Sequence, residues 1–154
     1  GYSVMLGYWN DAEKSTESID AAGWMHTGDQ ATIDDEGFCK IVGRIKDMVI
    51  RGGENVYPRE IEEFLYRHPK IQDVQVIGVP DERWGEAVKA VIVLNPGATT
   101  SIDEIIAFTR KRIAGFKVPK SIDFVDELPR NPSGKVLRRE LRAPYWEGKA
   151  RNVN

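Results

Sequence analysis

Two apolar runs rich in β-branched residues, residues 74–79 and 87–94, constrain this 154-residue chain more than any other feature. Such side chains suit a pleated, half-buried backbone, so both runs predict strands. Asn95, Pro96 and Gly97 close the second with turn chemistry. Pro58 stands where the first turn of a helix tolerates a missing N–H. Ile61, Phe64 and Leu65 follow at i, i+3, i+4 spacing, which predicts a helix burying one face and stopping at Pro69. Ser101, with Glu104 three residues on, is a capping box for a second helix. That helix carries the apolar stripe Ile102, Ile105, Ile106, Phe108 and Ile113. Residues 121–125 predict a third strand and residues 137–141 a short terminal helix; from Lys149 onward the tail is expected to fray. The order helix, two strands, helix, strand, helix predicts a small α+β domain with about three core β-strands and flanking helices.

The earlier residues have a different character. A helix is expected over residues 11–18, capped by Asn10 or Asp11. A β-hairpin is expected from Trp24 to Arg44, turning at Asp34, Asp35, Glu36 and Gly37. A short ribbon around Met48, Val49 and Ile50 turns at Gly52 and Gly53. Residues 1–45 hold too few apolar positions for a core of their own.

Hydrophobic residues make up 41% of the chain and charged residues 30%, so a core is feasible and disorder is not indicated. No apolar run approaches the roughly 18 residues of a membrane span. The start, Gly1 to Val4, has neither an initiator Met nor a basic signal-peptide segment, which predicts a piece of a longer protein. The single cysteine, Cys39, fits a reducing compartment, and a cytoplasmic location is expected. It alternates with core-facing positions and is expected to be a small buried hydrophobe. Residues 1–45 carry 3 Lys/Arg against 8 Asp/Glu, whereas residues 110–151 carry 12 against 5. The basic end favours an anionic ligand. Nucleic acid is disfavoured, because no aromatic stripe interleaves with the basic residues. His26 and His68 have no third partner at metal spacing, and no Ser/His/Asp set is present.

Gly134 and Lys135 follow a proline-bounded turn, Pro129-Arg130-Asn131-Pro132-Ser133. This places a lysine, a compact charge with three donors, at the tip of a short stiff loop. From there it can enter another domain's cleft and neutralise a carboxylate or phosphate oxygen.

Three blocks carry a resemblance. They are Gly23-Trp24-Met25-His26-Thr27-Gly28-Asp29, the long block from Gly43-Arg44-Ile45-Lys46-Asp47 through Arg51-Gly52-Gly53-Glu54-Asn55-Val56-Tyr57-Pro58 to Glu62, and Asn131-Pro132-Ser133-Gly134-Lys135. Together they resemble the C-terminal part of adenylate-forming enzymes: AMP-forming acyl-CoA synthetases, aryl-CoA ligases, peptide-synthetase adenylation domains and beetle luciferases. The resemblance runs from Gly1 to about Arg142. It implies that residues 1–45, hairpin included, are the tail of a large N-terminal domain, that Lys46 is a hinge, and that residues 47–154 are a mobile C-terminal lid. ATP and CoA are implied as co-substrates of a fatty or related carboxylic acid, with Mg2+ at the absent N-terminal domain and no metal site in this segment. The implied partner is that same N-terminal domain.

By the same resemblance Lys135 is the catalytic lysine of adenylation, and Asp29 and Arg44 join it around the nucleotide. One carboxylate offers two acceptor oxygens to the neighbouring ribose hydroxyls; the plain alternative for Arg44 is a salt bridge to Asp47. Gly52, Gly53 and Glu54 would line the pantetheine arm of CoA, because glycine lets a backbone approach a ligand closely. Phe116, Lys117 and Lys120 would meet its nucleotide end. Val118 stands where some aryl-CoA ligases carry a second cation. Trp84 is assigned to core packing. The isolated segment is expected to be inactive. The rival readings are an aryl-CoA ligase, a peptide-synthetase-type adenylation domain, a luciferase-like oxygenase and a non-catalytic nucleotide- or CoA-binding module.

Overall fold

Of the two caps offered at the start, Asp11 is the one used: its carboxylate accepts the Lys14 N–H at 3.0 Å and opens α1 (Ala12–Ser18). The structure, a computed structural model, describes residues 1–149. The fraying expected from Lys149 onward lies, past Lys149 itself, outside the described residues. The hairpin consists of β1 (Asp29–Ile33) and β2 (Cys39–Arg44), paired antiparallel. The Asp34 carboxylate closes its turn by accepting from the N–H groups of Glu36 and Phe38. Residues 24–28 do not extend the strand. There the Asp20 carboxylate accepts from the Ala22 and Trp24 N–H groups and holds the chain in a turn.

A single 3-10 turn, Ile45–Asp47, leads to β3 (Val49–Arg51) and β4 (Glu54–Val56). Then follow α2 (Pro58–Leu65), β5 (Ile71–Asp81), β6 (Gly85–Leu94), α3 (Ile102–Arg110), β7 (Ser121–Phe124) and α4 (Arg138–Trp146). The expected order of elements is present. The Ser101 hydroxyl caps α3 by accepting the Glu104 N–H at 3.1 Å. The Glu104 carboxylate, however, turns to Lys70 at 2.9 Å.

Strand β6 is the centre of the sheet. One edge pairs antiparallel with β5, from Ile71↔Leu94 to Asp81↔Gly85. The other edge pairs parallel with β7, which requires the crossover that α3 supplies. Further along that edge, at Arg51↔Gly85, β3 attaches and brings β4 with it. The three core strands thus gain a two-stranded ribbon, and the sheet has five.

Both faces of the sheet are covered, which explains why the two apolar runs are nearly continuous. Val74, Val76, Val88, Ala90 and Ile92 face Ile61 and Leu65 of α2 and Ile105 of α3. Ile77, Val79, Ala87, Val91 and Val93 face Leu128, with Leu141 and Tyr145 of α4 packed against them. Ile61, Leu65, Ile77, Ile92 and Ile105 are fully buried. Each contributes about 1.5–3 kcal/mol by leaving water. The β1–β2 hairpin has no such cover among the described residues. Cys39 is therefore exposed, not buried as its alternation suggested.

Candidate functional site

Lys135 sits in a loop built around one side chain. The Asn131 Oδ1 accepts from the Ser133 N–H at 3.1 Å, the Ser133 hydroxyl at 2.8 Å and the Lys135 N–H at 2.9 Å. The Asn131 N–H donates to the Lys135 carbonyl at 2.9 Å. Gly134, at φ +82, occupies the left-handed region that glycine tolerates. Arg130 ties the loop to the body through the Gly134 carbonyl at 2.6 Å and the Asp73 carboxylate. The backbone at position 135 is thereby fixed, while the side chain is exposed and pairs with no carboxylate among the described residues. The stiffness expected of the prolines is supplied largely by Asn131 and Arg130.

Asp29 and Arg44 are cross-strand partners, and the Arg44 Nε donates to Asp29 Oδ1 at 3.0 Å. The two residues assigned to the nucleotide are brought together, and Arg44 does not pair with Asp47. The Asp47 carboxylate lies instead 3.7 Å from both Arg138 Nη1 and Arg142 Nη1. Lys46, exposed in the 3-10 turn, has its carbonyl bonded by Arg142 Nη1 at 2.9 Å. The Met48 N–H spans the same turn to the Arg44 and Ile45 carbonyls at 3.1 and 3.2 Å.

At the β3–β4 turn Gly52 and Gly53 adopt φ +60 and +90. The Gly52 N–H donates to the Trp84 carbonyl at 2.8 Å. A Cβ on Gly52 would lie 2.6 Å from Trp84 Cε3, whereas one on Gly53 would meet nothing within 4 Å. Trp84 is not a core residue: it is 39% exposed, with the guanidinium of Arg83 4.7 Å and that of Arg51 5.5 Å from its ring centroid. The chain reverses at residues 82–84, which sets the indole at the strand ends against Gly52 and the two guanidiniums rather than in the core. Arg51 Nη1 also donates to the Phe116 carbonyl at 3.1 Å, which joins the two loops. Lys120 pairs with Asp81 at 2.5 Å, and this contact, with the Arg83 and Trp84 N–H groups, holds the Asp81 carboxyl below its usual range. Lys117 is turned away to Glu60 on α2, at 2.7 Å, and the Phe116 ring packs on the core. Glu54 is exposed beside the glycines.

These two regions sit at opposite ends of one strand. Asp73, which anchors the Lys135 loop, and Asp81, which faces Gly85 and through it Arg51, are eight residues apart on β5. At about 3.3 Å per residue the separation is about 26 Å.

Sequence reasoning missed a charged network beneath the lysine loop. Arg138 Nη2 donates to both Glu62 oxygens at 2.9 and 2.7 Å, and its Nε donates to Gln75 at 2.8 Å. The Val76 N–H adds a third bond to Glu62 at 2.7 Å. Burial pushes the Glu62 carboxyl above its usual range, against the pull of Arg138 and Val76. The partners are separated by 76 positions, so no local pattern announces them.

Residues 60–135 match the AMP-binding enzyme C-terminal domain family. The chain belongs to the adenylate-forming enzymes and carries their C-terminal region. It is 53% identical over 142 residues, 92% of its length, to the human medium-chain acyl-CoA ligase ACSF2, mitochondrial, of which it covers 23%. Among solved structures, ATP-bound MatB from Rhodopseudomonas palustris superposes with a TM-score of 0.87 at 41% identity, over 94% of this chain and 29% of that one. The Mycobacterium tuberculosis fatty acyl CoA synthetase, at 43% identity over 94% of this chain and 28% of that one, gives 0.69. The chain therefore spans about a quarter of the length of the relatives it matches.

Proposed function

We propose that this chain is the C-terminal part of an AMP-forming acyl-CoA synthetase, which converts a fatty or related carboxylic acid, ATP and CoA to acyl-CoA, AMP and pyrophosphate. Residues 1–45 are then the tail of the large N-terminal domain, Lys46 the hinge and residues 47–154 the lid. The observation that carries the reading is that the two regions stand at opposite ends of β5, about 26 Å apart. A lysine exposed on a rigid loop, and unpaired among the described residues, stands at one end of the sheet, and an open glycine turn with a half-exposed tryptophan stands at the other. A lid in one setting cannot bring both to the same nucleotide; a lid that turns about Lys46 can.

In the first half-reaction the carboxylate oxygen bonds to the α-phosphorus of ATP and pyrophosphate leaves. Two anions must meet, and the Lys135 ammonium offsets their repulsion as charge shifts over the α-phosphoryl oxygens. Asp29 accepts from the ribose hydroxyls, held in place by Arg44. In the second half-reaction the CoA sulfur bonds to the acyl carbon and AMP leaves. Gly53, with nothing within 4 Å of a Cβ position, leaves room for the pantetheine arm beside Gly52 and Glu54. Phe116 and Lys120 face the nucleotide end, with the half-exposed Trp84 beside them. Lys117 serves there once a phosphate displaces Glu60. Among the described residues no group of three His, Cys, Asp or Glu side chains is placed to hold a metal. Mg2+ would be held by side chains of the large domain.

The present setting of the lid corresponds to the first half-reaction. What supports this reading is the TM-score of 0.87 with ATP-bound MatB over 94% of this chain, hairpin and lid together. No helix among the described residues is long and apolar enough to cross a membrane. A reducing compartment such as the cytoplasm suits the single free thiol; the human relative is named as mitochondrial.

The test is to measure pyrophosphate exchange and thioester formation separately in the complete enzyme. Lys135→Ala is expected to suppress exchange by on the order of 10²-fold or more, and Gly53→Leu to impair mainly thioester formation. Equal damage to both half-reactions by both variants would contradict the two-setting reading.

A further inference from the structure

Helix α4 opens with two cations. Arg138 and Arg139 share its first turn, where the macrodipole is positive, with one acid, Glu140, and no side chain caps it. The reason lies outside the helix: Arg138 reaches Glu62 and Gln75, and one turn later on the same face Arg142 reaches the hinge. Lys135 stands three residues before Arg138, and between them the Leu137 N–H is bonded to the Pro129 carbonyl at 2.8 Å. One helix thus joins the lysine loop to the pivot.

We propose that Arg142 is a positioning residue for adenylation: from α4 it grips the peptide following Lys46 and sets the pivot so that the Lys135 loop arrives in register at the nucleotide. The proposal rests on the lid reading given above. The grip has two parts, the hydrogen bond to the Lys46 carbonyl and the flanking of the Asp47 carboxylate shared with Arg138. With that carbonyl fastened to the lid, rotation is confined to torsions before it. There the Met48 N–H bonds to the Arg44 and Ile45 carbonyls must open. Without the grip the rotation spreads over residues 46–48, and the Lys135 loop, carried on the same helix, loses its register. A displacement of about 1 Å at a reacting centre is enough to cost on the order of 10²-fold in rate.

The experiment uses the complete enzyme carrying Arg142→Gln, Arg142→Lys or Lys135→Ala. Arg142→Gln is expected to lower kcat for pyrophosphate exchange about tenfold or more, with little change in KM for ATP. Thioester formation from supplied acyl-adenylate should change less than about threefold, and the thermal midpoint should hold. Arg142→Lys, which keeps a donor within reach of the carbonyl, should restore part of the exchange. Equal losses in both half-reactions, a loss tracking a lowered thermal midpoint, or exchange at the parent rate would each overturn the proposal. Lys135→Ala separates its failure from that of the lid reading. Exchange intact in Lys135→Ala defeats both, whereas exchange lost there but intact in Arg142→Gln defeats the role of Arg142 alone.

Discussion

Replacing Arg138 with Met should expose how much of the chain's stability depends on one buried ion pair. The Glu62 side chain is 7% exposed and accepts three hydrogen bonds, two of them from Arg138. The substitution keeps the apolar stem but strands a buried carboxylate on the Val76 N–H. Breaking a buried pair in this way costs about 3–5 kcal/mol near neutral pH. The Glu62 carboxyl is already held above its usual range by burial, and losing Arg138 pushes it higher. A raised carboxyl pKa means that the folded state holds the proton more tightly than the unfolded chain does. Its contribution to stability is present below the unfolded value of about 4.3 and is lost as pH rises through the folded one. The deficit of Arg138→Met should therefore shrink on acidification from pH about 8 toward about 5. Urea unfolding of the chain across that range, read as the shift in midpoint at constant slope, is the assay. Adding Glu62→Gln should recover most of the loss, to within about 1.5 kcal/mol of the parent, because no charge is then stranded. A deficit below about 1 kcal/mol at neutral pH, or one that does not change with pH, would refute the reasoning.

Other substitutions probe separate parts of the account. Gly52→Ala and Gly53→Ala both force alanine to positive φ, at about 1–2 kcal/mol, but only the first drives a Cβ into the Trp84 ring. Gly52→Ala should therefore melt lower than Gly53→Ala, and equal midpoints would mean that the indole yields freely. Lys135→Ala should leave chain stability within about 0.5 kcal/mol by urea unfolding; a loss above about 1 kcal/mol would place the ammonium in an internal contact. Tyr145→Phe removes a 2.6 Å hydrogen bond to the Asp123 carboxylate that also pairs with buried Lys89. It should cost about 1–2 kcal/mol in the same assay, and no change would mean that water replaces the hydroxyl.

The regular elements were legible because their causes are local: β-branched runs for β5 and β6, a proline at the first turn of α2, a serine cap for α3. The attachment of the β3–β4 ribbon was not, because it depends on long-range contacts: the Arg51↔Gly85 pair and the bonds from the Gly52 N–H to the Trp84 carbonyl and from the Ile50 N–H to the Glu86 carboxylate. The roles of Lys135, Asp29, Arg44 and the glycine turn came from resemblance. Their support did not: neither Asn131 organising the loop nor Arg142 bonding the Lys46 carbonyl carries a spacing signal. Trp84 was misassigned because an aromatic beside strands is most often core, and here the chain reverses beneath it. Cys39 was misassigned because alternation identifies a face of a hairpin but not whether anything covers that face.

The central claim is that opposite ends of one sheet serve one nucleotide in turn. Crystal structures of the complete enzyme with an acyl-adenylate analogue, and with a CoA thioester analogue plus AMP, test it most directly. The first should place Lys135 Nζ within about 3 Å of ligand oxygens, and the second should place the Gly52 and Gly53 turn there instead, with Lys135 withdrawn. Lys135 remote from the ligand in both complexes, or the same lid setting in both, would contradict the account.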